Sequence, residues 1–169
     1  MLYFAYGSNL PMERLQRTVP SASFLYKGIL THHELRFHRL GTDDSAKCDA
    51  FCTNDAKHFV LGVVYQMSPN ERAELDQSEG VGSCCNANMV IVHTDLGEVK
   101  AFTYQAGPYS IRPNLTPYTW YKKLVLLGTH QHRFPLNYEK VIEDINAIED
   151  PDQERAKHNQ AIIDSIKSD

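Results

Sequence analysis

The sequence lacks the features that mark membrane, secreted and nucleic-acid-binding proteins. It has no apolar run of about 18 residues, so no membrane span is predicted. It begins with neither the basic segment nor the apolar core of a signal peptide, so we expect a cytoplasmic protein. Its 17 lysines and arginines are outnumbered by 21 aspartates and glutamates, which argues against nucleic acid as a partner. The length and hydrophobic content predict one domain over residues 1–169.

Common catalytic and metal-binding motifs are absent as well. There is no G-x-S-x-G nucleophile elbow, phosphate-binding loop, dinucleotide fingerprint or H-E-x-x-H zinc motif. The four cysteines are Cys48, Cys52, Cys84 and Cys85. Their spacing is not typical of a zinc site, and without a secretory signal we expect reduced thiols. A zinc site, or a cysteine nucleophile with a distant histidine, stays the alternative interpretation.

The order of the predicted elements is typical of the α+β class. Apolar stretches predict strands at residues 2–6, 22–40, 48–52, 58–67, 89–94 and 98–104. Helical spacing predicts helices at residues 10–18, 69–79, 119–127, 137–148 and 153–166. The spacing of Ser68 and Glu71 predicts a capping box, and Pro69 lies at the first helical position. Gly80 suits a left-handed helix end. Strands come first and helices last, which predicts a curved sheet or small barrel with flanking helices.

The stretch Y-G-S-N, where the first strand turns into the first predicted helix, is a candidate binding loop. Gly7 permits a positive φ and the close approach of a ligand, and Ser8 or Asn9 can cap the helix. Backbone N–H groups at a helix start suit a carboxylate or an oxyanion. The alternative is a turn with an N-cap and no ligand.

Glu79 is the second candidate. It lies in the last turn of the predicted helix 69–79, where the helix dipole disfavours the charged form of a carboxylate. That environment suits a group that takes a proton and returns it near neutral pH. An exposed glutamate without a function is the alternative, and Asp76, one turn earlier, is a rival carboxylate.

Two segments together resemble the γ-glutamylcyclotransferase family, also called the AIG2-like family. They are YFAYGSNL at residues 3–10 and LDQSEGV at residues 75–81. Two later segments, WYKKLVLLG at residues 120–128 and FPLNY at residues 134–138, are similar to the C-terminal part of that family. Related glutathione-degrading cyclotransferases carry Y-G-S-L, so Asn9 argues against that branch.

The resemblance implies a small mixed β-barrel with flanking helices and an enzyme that forms 5-oxoproline from a small γ-glutamyl substrate. It implies no metal or organic cofactor, and it makes Glu79 the general acid/base. Head-group binding is assigned to the backbone amides of five consecutive residues: Tyr6, Gly7, Ser8, Asn9 and Leu10.

The resemblance leaves the substrate open. Asn86 stands where the family often has a tyrosine that could line the pocket, and Asn86 is therefore a candidate pocket residue. Tyr121 is a second candidate. The leaving group is an amino acid or an amine, and a silent domain that binds a small acid or a protein is the alternative. The sequence predicts no nucleic-acid or membrane partner and does not reveal the oligomeric state.

Overall fold

The computed structural model describes residues 1–166, in which five strands form a closed barrel and two form a separate sheet. The strands are β1 (Leu2–Ala5), β2 (Ser23–Thr31), β3 (His33–Leu40), β4 (Ala46–Cys52), β5 (Phe59–Gln66), β6 (Cys85–Thr94) and β7 (Gly97–Ala106). The barrel order is β1-β5-β2-β6-β7, and β3 pairs with β4. Only the β1–β7 contact that closes the barrel is parallel, so the sheet is mixed. The predicted mixed barrel is therefore confirmed.

Five α-helices accompany the strands in the described part of the chain. They are α1 (Met12–Leu15), α2 (Arg72–Glu79), α3 (Thr119–Gln131), α4 (Leu136–Glu143) and α5 (Gln153–Ser165). Short 3-10 turns occupy Pro69–Glu71 and Pro108–Ser110. Across residues 1–166, none of the helices has the length and apolarity that crossing a membrane requires.

Three helices end more than one residue away from the predicted position. The first helix is shorter because the chain tightens after Leu15, where Thr18 N donates to the Leu15 carbonyl in an i to i+3 bond. α3 continues through Gly128, because that glycine packs against Leu10 and does not end the helix. α4 ends at Glu143, and Ile148, which we expected to be helical, forms a β-bridge to Tyr118.

The start of α2 corrects the predicted capping box, and its end confirms the prediction. Ser68 makes no side-chain cap, and the Glu71 carboxylate accepts a hydrogen bond from the backbone N–H of Ser21 at 3.3 Å. Pro69 opens a 3-10 turn that leads into the helix. Gly80 ends the helix with a φ of 74°, in the left-handed region that glycine adopts without strain.

The core lies inside the barrel and between the barrel and α3. Phe4 of β1, Val63 of β5 and Val92 of β6 are fully buried, as are Leu75 of α2 and Leu124 of α3. These side chains pack β1 and α2 into the same hydrophobic core. The loop after β1 and the last turn of α2 are thereby held side by side.

Asp150 fixes the C-terminal helices to one another. Its carboxylate accepts hydrogen bonds from Arg155 at 2.6 and 2.7 Å and from the Trp120 indole at 2.8 Å. The bonds from Arg155, with help from Trp120, hold the pKa of Asp150 at about 2, below its usual range. This ionised carboxylate joins α3 to the start of α5.

Candidate active site

The loop that follows β1 presents free backbone donors. Leu10 N donates to the Gly7 carbonyl at 3.0 Å, which closes a tight turn. Within residues 1–166, the N–H groups of Gly7, Ser8 and Asn9 donate to no protein acceptor. All three residues are half-buried and line a cavity, so their amides are available to a ligand. α1 has only four residues, so these amides act individually and owe little to a helix dipole.

Gly7 is required by space and not by backbone conformation. Among the described residues the glycines with positive φ are Gly80, Gly82 and Gly97, so the expected positive φ at Gly7 is wrong. A Cβ on Gly7 would lie 3.2 Å from the Cβ of Cys48 and 3.3 Å from the hydroxyl of Tyr121. The expected close approach is present, but the partners are the protein's own side chains.

Glu79 and the loop meet in space although they are far apart in the sequence. The Asn9 side-chain amide donates to Glu79 Oε1 at 2.8 Å. Arg39 of β3 donates to Glu79 Oε2 at 3.2 Å and to the Glu79 carbonyl at 3.1 Å. The side chain of Glu79 is 16% exposed and that of Arg39 is 9% exposed, so the ion pair is mostly shielded from water. Each oxygen of the carboxylate therefore has its own donor.

Arg39 is the site residue that sequence reasoning missed. Burial lowers the pKa of its guanidinium, but the Glu79 charge and other acidic neighbours outweigh burial and raise the pKa above its ordinary value. Arg39 is thus a fixed cation beside Glu79. No local pattern in the sequence marks it, because β3 belongs to the separate two-stranded sheet and meets α2 only in the folded chain.

Two adjoining cavities share Glu79. The first is narrow, with about 20 Å³ of free space, and the second has about 250 Å³. Ser8, Arg39, Glu79 and Tyr121 line both cavities. The first cavity is lined by Tyr3, Tyr6, Gly7, Ser8, Asn9, Arg39, Cys48, Glu79, Tyr104 and Tyr121. The carboxylate thus lies on the boundary between a narrow space and a wider one.

The tyrosines of the first cavity are neutral phenols. Burial raises the pKa of Tyr3 and of Tyr121, and the nearby Glu79 charge raises both further. The hydroxyl of Tyr121, the other candidate pocket residue, accepts a hydrogen bond from the backbone N–H of Cys48 at 3.0 Å, and Tyr121 lines the cavity. The side-chain amide of Asn9, which also bonds to Glu79, donates a hydrogen bond to the Tyr3 hydroxyl at 3.3 Å.

Two predicted site residues do not line either cavity. Leu10 is buried in the core and its N–H is already bonded to Gly7, so its amide is not a free donor. Asn86 is exposed on β6, because strand alternation turns its neighbour Cys85 inward and Asn86 outward. The expectations that the Leu10 amide binds the head group and that Asn86 lines the pocket are corrected accordingly.

Asp76, the rival carboxylate, has structural partners. It accepts hydrogen bonds from the Tyr104 hydroxyl at 2.6 Å and from Arg72 Nε at 2.6 Å. It lines neither cavity. Its partners connect α2 to β7, and Glu79 is the carboxylate that faces the open space.

The cysteines are free thiols. Burial raises the pKa of Cys48 and of Cys85 to about 12, so both stay protonated at neutral pH and are poor nucleophiles. No histidine lines either cavity. In the described part of the chain no three His, Cys, Asp or Glu side chains are arranged to hold a metal ion.

Known proteins are similar to this chain in sequence and in fold. A family described as AIG2-like matches residues 59–142. The γ-glutamylcyclotransferase of Bos taurus is 34% identical over 98% of this chain and 87% of its own length, and that of Homo sapiens is 33% identical over the same shares. A solved structure of a γ-glutamyl cyclotransferase is similar with a TM-score of 0.84 and 27% identity, over 97% of this chain and 98% of that one. The chain therefore belongs to the γ-glutamylcyclotransferase family of AIG2-like proteins.

Proposed function

We propose that this protein converts a γ-glutamyl amino acid or amine to 5-oxoproline and a free amine, with Glu79 as the proton carrier. Its relatives make it an enzyme of the γ-glutamylcyclotransferase type. The observation that carries the assignment of Glu79 is its position on the wall shared by both cavities, 2.8 Å from Asn9 of the loop.

The loop amides bind the head group. A γ-glutamyl group carries an α-carboxylate, and ring closure puts negative charge on the γ-carbonyl oxygen. The N–H groups of Gly7, Ser8 and Asn9 have no acceptor within residues 1–166, so they are free to bond to either oxygen group. A donor well placed on an oxyanion lowers the barrier by about 3 kcal/mol. The loop thus supplies both anchoring and charge stabilisation.

Ring closure takes place within one molecule. The substrate's α-amine attacks the γ-carbonyl carbon, a carbon–nitrogen bond forms, and the bond from that carbon to the leaving nitrogen breaks. Because both reacting groups belong to the same molecule, holding one conformer removes a large entropic part of the barrier. Glu79 takes a proton from the attacking amine and passes it to the leaving nitrogen, so the carboxylate is restored in each turnover.

Arg39 and Asn9 hold the Glu79 carboxylate in an orientation from which it can reach both reacting nitrogens. They bond to different oxygens, which fixes the plane of the carboxylate. Arg39 also bonds to the Glu79 carbonyl, so it stays in place while the side chain carries the proton. We assign both as positioning residues. The leaving group then extends into the wider second cavity.

The test is release of 5-oxoproline from a panel of γ-glutamyl compounds by the wild-type protein and the Glu79→Gln variant. Turnover should fall by at least about 100-fold, because glutamine cannot exchange a proton, while 5-oxoproline still binds. Glu74→Gln is the matched control, since Glu74 is exposed on the same helix. Near-normal turnover by folded Glu79→Gln would contradict the assignment. A wild-type protein that binds 5-oxoproline but turns over no compound would be a binding domain.

A further inference from the structure

Three side-chain donors hold the main-chain carbonyl of Glu79, and two of them are thiols. Arg39 donates to this carbonyl at 3.1 Å, Cys85 Sγ at 3.2 Å and Cys84 Sγ at 3.4 Å. In the described part of the chain no backbone N–H donates to it, because the helix ends at Gly80. The end of α2 that carries Glu79 is therefore held by side chains, and two of these can be modified chemically.

Cys84 is the thiol of this pair that small molecules can reach. It is half-buried and lines the second cavity of about 250 Å³, whereas Cys85 is buried and lines neither cavity. Arg39 Nη1, which donates to the Glu79 carbonyl, also donates to Cys84 Sγ at 3.9 Å. Reactive cysteines in proteins are partly exposed and lie beside cations, because a cation stabilises the thiolate that attacks a disulfide. Cys84 meets both conditions.

The other three cysteines do not combine these features. Cys48 and Cys85 are buried thiols that stay protonated at neutral pH. Cys48 lines the first cavity, but about 20 Å³ of free space leaves no room for an added group. Cys52 is exposed but lines neither cavity. Only a group added to Cys84 would therefore lie beside Glu79.

We propose that Cys84 is a site of reversible modification by small disulfides, and that its mixed disulfide stops the reaction at Glu79. The Cys84 sulfur gives up its proton to water and attacks one sulfur of the disulfide. A bond forms between these two sulfurs, the bond within the disulfide breaks, and the other half leaves as a thiolate that takes a proton. Cys84 is thereby oxidised, and the released thiol is the reduced product. An added thiol reverses the step by the same exchange.

The added group acts on Glu79 in two ways. The modified sulfur has no proton and no longer donates to the Glu79 carbonyl, and the group occupies the second cavity, into which the leaving group of the substrate extends. Cys85 does not displace it, because Cα atoms joined by a trans peptide lie about 3.8 Å apart, closer than the roughly 4.4–6.8 Å usual in a disulfide. This inference rests on the proposed function and adds a means of regulating the same site.

Inactivation by hydroxyethyl disulfide provides the test. The reduced wild-type protein is treated at neutral pH, freed of the reagent, and assayed for release of 5-oxoproline from the best γ-glutamyl compound of the panel. Because a misplacement of about 1 Å can cost about 100-fold in rate, turnover should fall by at least about 10-fold. Dithiothreitol should restore it. Fragment-ion mass spectrometry should locate the hydroxyethylthio group on Cys84.

Two serine variants identify the responsible thiol, each compared with its own untreated sample. Cys84→Ser keeps a hydroxyl donor for the Glu79 carbonyl but forms no disulfide, so treatment should not lower its turnover. Cys52→Ser is the matched control, because Cys52 is exposed and lines neither cavity, and it should be inactivated like the wild type. If Cys84→Ser does not fold, the time course in Cys52→Ser provides the readout, and the loss of turnover should follow the modified fraction of Cys84.

Three results would overturn the role of Cys84: no modification of Cys84 in the folded protein, full modification without loss of turnover, or equal inactivation of Cys84→Ser. If the untreated wild-type protein releases no 5-oxoproline from any compound of the panel, the proposed function fails. Calorimetric binding of 5-oxoproline then decides on Cys84, since Glu79 lines the first cavity. Weaker binding by the modified protein supports the inference, and equal binding by the modified and unmodified proteins refutes it.

Discussion

Replacing Glu79 with glutamine should lower the stability of the protein as well as its activity. The helix-end position alone suggests the opposite, because removing a charge at the negative end of α2 relieves an unfavourable interaction. The structure adds Arg39, a guanidinium that is 9% exposed and donates to the Glu79 carboxylate at 3.2 Å. Glutamine leaves this cation without a counterion, so the desolvation of Arg39 is no longer offset.

The expected loss of stability in Glu79→Gln depends on how deeply the Glu79–Arg39 ion pair is buried. Removing one partner of a fully buried ion pair costs about 3–5 kcal/mol. Glu79 is 16% exposed, and glutamine keeps an acceptor oxygen for Arg39. We therefore expect a loss of about 1–3 kcal/mol in the free energy of unfolding. In a chain of this length that corresponds to a decrease of roughly 3–10 °C in Tm.

Thermal unfolding followed by circular dichroism at pH 7 measures the loss. Glu74→Gln should stay within about 0.5 kcal/mol of the wild type, since that side chain is exposed. The double variant Arg39→Met/Glu79→Gln should recover part of the loss, because no shielded charge is left unpaired. A Tm for Glu79→Gln equal to or above that of the wild type would refute the reasoning. A double variant no more stable than Glu79→Gln would show that Arg39 is not the source of the loss.

Three further predictions concern packing and pH. Gly7→Ala places a Cβ 3.2 Å from that of Cys48 without backbone strain. We therefore expect a decrease of about 1–2 kcal/mol in the free energy of unfolding and weaker binding of 5-oxoproline in calorimetry. Normal binding would show that Gly7 does not belong to the site. Gly128→Ala places a Cβ 2.2 Å from that of Leu10, so α3 and the loop that ends at Leu10 must move apart. Thermal unfolding should show a decrease of at least about 2 kcal/mol in the free energy of unfolding. A Tm equal to that of the wild type would contradict this packing. Asp150 has a folded pKa of about 2, below its unfolded value, so its ionised form stabilises the fold above about pH 4 and this contribution is lost between about pH 4 and 2. Asp150→Asn should therefore be less stable than the wild type in denaturant titrations at pH 6, with a difference that shrinks towards pH 2; a difference independent of pH would refute the assignment.

The sequence by itself predicted most of the strands and helices and named both halves of the candidate site. Apolar runs predict the strands, and residues close together in the chain predict the helix that ends before Gly80. The loop around Gly7 and the carboxylate of Glu79 stood out because a strand-to-turn transition and a helix end are local features. The resemblance to a known family joined them, since its two motifs occur in the same order here.

The tertiary structure decided how these local features are used. Helical spacing cannot tell a glycine that ends a helix from one that lets Leu10 pack against it, so the prediction placed the end of α3 too early at Gly128. The sequence predicted a strand only from residue 89, whereas β6 begins at Cys85, and in this longer strand Cys85 is buried and Asn86 is exposed.

Arg39 and Arg14 show most clearly what the sequence does not reveal and the tertiary structure does. Each lies in a segment whose local pattern says nothing of Glu79, and each lines the second cavity with Glu79 only because the chain folds back on itself. Whether an arginine is a solvated surface charge or a shielded cation depends on what covers it and on which carboxylate lies within reach. Those two conditions are set by contacts between residues far apart in the chain, and only the folded protein brings them together.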